Sequence, residues 1–154
     1  MNLLLMRHGM AELGRDDFKR SLTEEGIKGV RQTANALIEQ LVTMSEGMPS
    51  KIIASPLLRS QQTAQIVIDE LKLDIDFETL GIIRPESDIE SFLAFLEHKE
   101  DEGLCLYVSH QPFVGLLMYH VARIEEFMDT ADLNYVSIRT FSQDGGDLKW
   151  KISA

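Results

Sequence analysis

Three short apolar runs, each followed at once by polar residues, constrain this chain more than any other feature. Asn2–Met6 leads into Arg7-His8-Gly9. Lys51–Ala54 leads into Ser55-Pro56-Leu57-Leu58-Arg59, and Leu104–Val108 into Ser109-His110-Gln111-Pro112. Runs this short and this apolar read as strands buried on both faces.

Helical patterns lie between the runs. Thr23 is a capping residue, and Glu24 and Glu25 suit the positive start of a helix. Ile27, Val30, Ala34, Leu37 and Leu41 then recur at spacings of three and four, and Pro49 ends the element. Pro56 opens a second helix that turns Ala64, Val67 and Leu71 inward. Asp76–Leu80 reads as a further strand. Asp88 caps a third helix carrying Ile89, Phe92, Phe95 and Leu96, and a fourth runs from about Phe113 to Ala122. Tyr135–Phe141 and Leu148–Ile152 read as strands joined through Asp144-Gly145-Gly146-Asp147, a hairpin-type turn.

Alternating strands and helices predict an α/β three-layer sandwich. Its central sheet is mostly parallel, with helices on both faces and an antiparallel edge strand. No repeat, low-complexity tract or linker divides residues 1–154, so a single domain is expected. Hydrophobic residues at 44% supply an ordinary globular core.

In such sheets ligands bind outside the carboxyl ends of the strands. If the three runs are parallel neighbours, Arg7, His8, Arg59 and His110 meet in one crevice. Two guanidinium forks and two imidazoles suit a phosphate. The start of the helix after Pro56 adds backbone donors and a positive dipole. There is no Walker-type loop and no carboxylate cluster for magnesium. No CxxC occurs, and His98, His110 and His120 do not form an HxxxH pair, so neither a metal nor a cofactor is expected.

The remaining features exclude or are bland. A net charge of −10 argues against nucleic acid as a partner, and demands that any anion site be locally positive. No apolar run is long enough for a membrane span, and Leu3–Met6 is too short for a signal-peptide core, so a cytoplasmic protein is expected. Cys105 lies in an apolar run and reads as a buried thiol. His98 reads as a surface residue, His120 as structural, and the methionines as core fillers.

Taken together the motifs resemble a known family. Leu5-Met6-Arg7-His8-Gly9 resembles the RHG signature of the histidine phosphatase, or phosphoglycerate mutase-like, superfamily. Leu22-Thr23-Glu24-Glu25-Gly26 resembles its LTxxG helix start, and Ser55–Ala64 its SPxxRxxQTA segment. Val108-Ser109-His110-Gln111-Pro112 resembles its second-histidine segment. The small size, the Phe18-Lys19-Arg20-Ser21-Leu22-Thr23 stretch and Ser109–Gly115 are similar to its SixA-type phosphohistidine phosphatases. The resemblance implies that His8 is the nucleophile and forms a phosphohistidine intermediate, while Arg7, Arg59 and His110 hold the phosphoryl oxygens. It implies Arg20 at the rim, with Gly9 and Ser55 at the substrate.

Departures from larger members narrow the substrate. Met10 stands where many carry an acid, and Leu80-Gly81-Ile82-Ile83-Arg84-Pro85 lacks the glutamate that protonates an ester leaving group. Glu12 and Glu78 are the carboxylates left that can swing in. A phosphohistidine leaves as imidazole, which needs less help than an alkoxide, so the expected partner is a phosphorylated histidine-containing phosphotransfer protein. A small-molecule phosphomonoesterase and a non-catalytic phospho-ligand module are the competing readings.

Overall fold

The computed structural model describes all 154 residues. Its strands are β1 (Asn2–Arg7), β2 (Lys51–Ala54), β3 (Glu78–Thr79), β4 (Cys105–Ser109), β5 (Leu133–Ile138) and β6 (Gly146–Ile152). Its helices are α1 (Glu24–Thr43), α2 (Leu58–Leu71), α3 (Ile89–His98) and α4 (Phe113–Ala122). One sheet runs in the order β3-β2-β4-β1-β5-β6. The first four strands in that order are mutually parallel, β5 is antiparallel to β1, and β6 is antiparallel to β5. The expected α/β sandwich is therefore present, with the β5–β6 pair forming its antiparallel edge.

Alternation along the central strands explains why they are apolar throughout. Leu3 and Leu5 face the layer of α3 and α4, together with Tyr107, Phe92, Phe113 and Val114. Leu4 and Met6 face the other layer, where Val30, Ala34 and Leu37 of α1 and Ala64, Val67 and Ile68 of α2 cover them. Both faces are buried, so Leu3–Met6 of β1 and Cys105–Val108 of β4 carry no charged side chain, and Asn2, Arg7 and Ser109 stand only at the strand ends. The helix starts follow the cap logic. Thr23 accepts a hydrogen bond from the Gly26 N–H at 2.9 Å, and Asp88 accepts one from Ser91 at 2.8 Å. No helix is long and apolar enough to cross a membrane.

Several boundaries differ from expectation, and Arg7 and Ser109 end β1 and β4 rather than follow them. The strand expected at Asp76–Leu80 is only Glu78–Thr79, an exposed edge pair with one neighbour. α2 begins at Leu58, two residues after Pro56, with Leu57 as a cap that offers no side chain. The strand expected from Tyr135 to Phe141 starts earlier and stops at Ile138. Asn134 hides its start, because this polar side chain is buried and lies 3.5 Å from the Met128 sulfur. The hairpin turn sits over Arg139–Gly145, where the Arg139 and Thr140 N–H groups both donate to the Gly145 carbonyl, so Gly146 and Asp147 belong to β6.

β4 lies between β1 and β2, and this order makes the site. Arg7 is in register with Ser109, and Ala54 with Val108. The pairing continues one residue further: the His8 N–H donates to the Ser109 carbonyl at 3.0 Å, and the Ser55 N–H to that of Val108 at 3.1 Å. The turn after β1 is pressed against α1 through two glycines. A Cβ on Gly26 would lie 2.1 Å from the Met10 carbonyl oxygen, and one on Gly9 would lie 2.7 Å from Val30 Cγ2 and 2.9 Å from the Gly26 carbonyl oxygen. The clash at Gly26 is with backbone, which cannot swing aside. Gly26→Ala is therefore expected to destabilise the fold by at least about 1–3 kcal/mol, the usual cost of overpacking, and to displace the turn that carries His8. Thermal unfolding and activity measurements on this variant check it. An unchanged melting temperature with full activity would show that the contact yields freely.

Candidate active site

His8 begins the turn after β1, and its ring is held by its own neighbour. Nδ1 lies 2.6 Å from the Gly9 carbonyl oxygen, an acceptor, so Nδ1 carries the proton and donates it. The lone pair is left on Nε2, towards which Arg59 Nε points at 3.3 Å. Gly9 is itself fixed, because its N–H donates to Thr63 Oγ1 at 3.1 Å and that hydroxyl donates to the Arg59 carbonyl at 2.8 Å. Thr63 and Arg59 lie one turn apart on α2. A single helix thus orients both the imidazole and the cation beside it.

His110 follows β4, and its ring centroid is 4.8 Å from that of His8, with the planes tilted by 54°. Its Nε2 lies 2.5 Å from Ser55 Oγ and 3.0 Å from Ser60 Oγ. Ser55 Oγ also accepts the Leu57 N–H at 3.4 Å. The other ring nitrogen, Nδ1, is buried and has no protein partner. Arg7 Nε is buried and unpartnered as well. The rest of the Arg7 guanidinium is fixed by a 2.9 Å bond to the Met128 carbonyl and by the Phe127 ring, 5.2 Å away.

The structure brings His8, Arg59 and His110 into contact and sets Arg7 beside them. Arg59 is 5% exposed, far from the solvated charge usual for a first-turn helix arginine. Arg20 stands further out, with Nε donating to the Glu12 carbonyl at 2.7 Å and a second nitrogen to Asp17 at 3.0 Å. Gly9 and Ser55, expected at the substrate, are engaged with protein groups, Gly9 with His8 and Thr63 and Ser55 with His110. Glu78 lies 3.8 Å from Lys51 at the opposite end of β2, away from the crevice. Among the bland readings, Cys105 is buried, His98 is exposed and His120 is half-buried on α4.

Sequence reasoning missed Asp17, Ser60 and Thr63. Asp17 lies on a 3-10 turn (Asp17–Lys19), and its carbonyl and carboxylate both meet Arg59, at 2.8 Å and 3.3 Å. No strand or motif flags this loop residue. Thr63 had a usable signal, since it sits four positions after Arg59 and so shares its helix face, whereas Ser60, the next residue along, does not.

Burial sets the protonation of both histidines. It pushes His8 down to about 4, with the Arg59, Arg7 and Arg20 charges adding to it and the Gly9 hydrogen bond opposing. His110 is pushed lower still by burial, then by His8 and the same arginines. Burial also opposes the charge of Arg7, which Asp129 and Asp132 support; a guanidinium stays ionised regardless. Burial works to raise Asp17, but hydrogen bonds from Arg20 and Arg59 outweigh it and hold the carboxyl below the usual carboxylate range. The crevice therefore combines neutral imidazoles with fixed cations in an acidic protein. That arrangement can bind an oxyanion and attack it from Nε2 of His8.

A group with a depressed pKa binds its proton later in the folded state than in the unfolded one. Between its ordinary pKa near 6.5 and the folded value of about 4, His8 makes the protein less stable as pH falls, by of the order of 3 kcal/mol in all. In the free protein, NMR titration is expected to show His8 neutral down to about pH 5. A midpoint for His8 near 6.5 would show that its ring is solvated.

Comparison with known proteins gives a consistent result. The profile of the histidine phosphatase superfamily (branch 1) matches residues 3–80. The chain is 31% identical to the phosphohistidine phosphatase SixA of Escherichia coli K12, covering 99% of this chain and 94% of that one. It is 36% identical to a SixA homolog of Haemophilus influenzae over 75% of this chain and 73% of the other. Its fold superposes on the protein histidine phosphatase SixA complexed with tungstate with a TM-score of 0.85 at 29% identity, over 99% and 97% of the two chains. With the RHG turn, its glycine packing and the second histidine all in place, the chain belongs to the histidine phosphatase superfamily.

Proposed function

We propose that this phosphatase removes phosphate from a phosphohistidine on another protein, with Arg7, Arg59 and His110 holding the phosphoryl group and His8 attacking it. The observation that carries the reading is the 2.6 Å bond from His8 Nδ1 to the Gly9 carbonyl, which leaves Nε2 unprotonated beside Arg59. Nε2 attacks phosphorus in line with the leaving nitrogen. Charge spreads over three equatorial oxygens, and the two guanidiniums with His110 Nδ1–H meet it. The substrate ring, protonated at its other nitrogen, departs as neutral imidazole. Water then hydrolyses phospho-His8, releasing phosphate and restoring the neutral ring. Ser55 and Ser60 act through His110 by fixing its tautomer, Gly9 acts through His8, and Arg20 serves the rim.

The leaving group decides between phosphohistidine and a phosphate ester. An ester needs an acid to protonate its alkoxide, and such an acid has a raised pKa. Asp17 is the carboxyl that meets the site arginines, and its pKa is lowered. The 80–85 stretch reaches the crevice, where Ser109 Oγ donates to the Ile83 carbonyl at 2.7 Å, yet it carries no carboxyl group. A protein substrate also suits the small chain, and the name of the E. coli relative, a phosphohistidine phosphatase, points the same way. A reducing compartment such as the cytoplasm fits the single unpaired cysteine.

The decisive assay offers the protein a histidine phosphotransfer domain phosphorylated on histidine, and separately a panel of small phosphate esters. Turnover of the phosphoprotein is expected to exceed that of any ester by at least tenfold in kcat/KM; the reverse order overturns the proposal. His8→Ala is expected to fold and lose all turnover, and acid-labile phosphoenzyme is expected in the wild type alone. Arg59→Ala and His110→Ala are each expected to slow phosphoryl transfer by about 10²–10³, and an unchanged rate places that residue outside the site.

A further inference from the structure

A groove runs beside the crevice along α4. Leu116 and Tyr119 of α4 form one wall, and Phe127 forms the other. These three are 53%, 43% and 67% exposed, unusually large for apolar side chains that face one another. The groove joins the crevice directly. Phe127 covers the Arg7 guanidinium at 5.2 Å. Gln111, next to His110, closes the inner end, where it accepts the Gly115 N–H at 3.1 Å and approaches the Met128 carbonyl at 3.5 Å.

The groove is also charged on one side. Two carboxylates line it, Glu125 and Glu126. Glu126 is paired with Lys151 at 2.6 Å. Glu125 is exposed and forms no ion pair. An apolar trough with a free carboxylate, on a protein of net charge −10, complements a segment that is apolar and basic. A second copy of this acidic chain would bring like charge to the same place.

Resting on the phosphohistidine-protein reading, we propose that this groove seats the residues flanking the phosphohistidine of the substrate protein, with an apolar side chain between Leu116, Tyr119 and Phe127 and a lysine or arginine against Glu125. The groove then selects the protein, while the crevice performs the chemistry on any accessible phosphohistidine.

Two phosphohistidine peptides test this, one flanked by leucine and lysine and the other by alanine and glutamate at the same positions, with phosphoramidate as a small P–N control. The wild type is expected to favour the first peptide by about tenfold or more in kcat/KM, which is the scale of burying one aliphatic side chain. Leu116→Ser is expected to remove most of that preference. Glu125→Lys is expected to lower it by roughly two- to fivefold, an effect that fades at high salt. Neither substitution is expected to alter hydrolysis of phosphoramidate. Equal turnover of the two peptides by the wild type overturns the groove and leaves the phosphohistidine reading standing. If, in addition, the protein dimerises and Leu116→Glu dissociates it, the groove belongs to a second copy of the chain. A wild type that hydrolyses phosphate esters but neither peptide nor phosphoramidate overturns the phosphohistidine reading, and the groove with it.

Discussion

The hydrogen bond between His8 Nδ1 and the carbonyl of the next residue determines what the rest of this crevice can do. An imidazole has two nitrogens that exchange roles freely in water, and only one of them can face a phosphoryl group. At 2.6 Å the Gly9 carbonyl settles the matter by accepting the proton on Nδ1. That carbonyl is aimed by packing. Gly9 lies against Val30 and Gly26 of α1, and its N–H is held by Thr63 of α2. The His8 imidazole is thus oriented by a turn clamped between two helices, each of which also covers the sheet.

Charge follows from the same placement. The chain carries a net charge of −10, yet its three site arginines gather around two neutral rings. Burying Arg59 without a partner would be costly. Asp17 relieves that cost from a 3-10 turn outside the sheet, and ties Arg59 to Arg20 through one carboxylate. The acid is more than half exposed, so it neutralises the arginines without sealing them from an incoming oxyanion. The two histidines, by contrast, need no counter-ion, because burial keeps them uncharged.

Features governed by short-range rules were legible in the sequence. The apolar strands, the Thr23 and Asp88 caps and the inward faces of α1 and α2 depend on residue period and on contacts three or four positions apart. Arg7, His8, Arg59 and His110 stood out because each lies at or beyond the carboxyl end of an apolar run. The errors fall where local pattern carries little information. β3 is an exposed edge of two residues, and the start of β5 is masked by a buried asparagine. Asp17 lies on a loop whose path is set by a bridge between Ala11 and Leu22 and by the guanidinium it meets.

By itself the sequence determined the layers, the elements and the set of residues able to bind and attack a phosphate, since these rest on hydrophobic period and on side-chain chemistry. Only the tertiary structure decided that β4 enters between β1 and β2, which brings residues more than fifty positions apart within hydrogen-bond reach. It also decided which nitrogen of each histidine is engaged by protein groups, and which serines and threonine hold the site in place. These are matters of a few tenths of an ångström between segments distant in the chain. They are set by how the whole core packs, and no local pattern of residues encodes them.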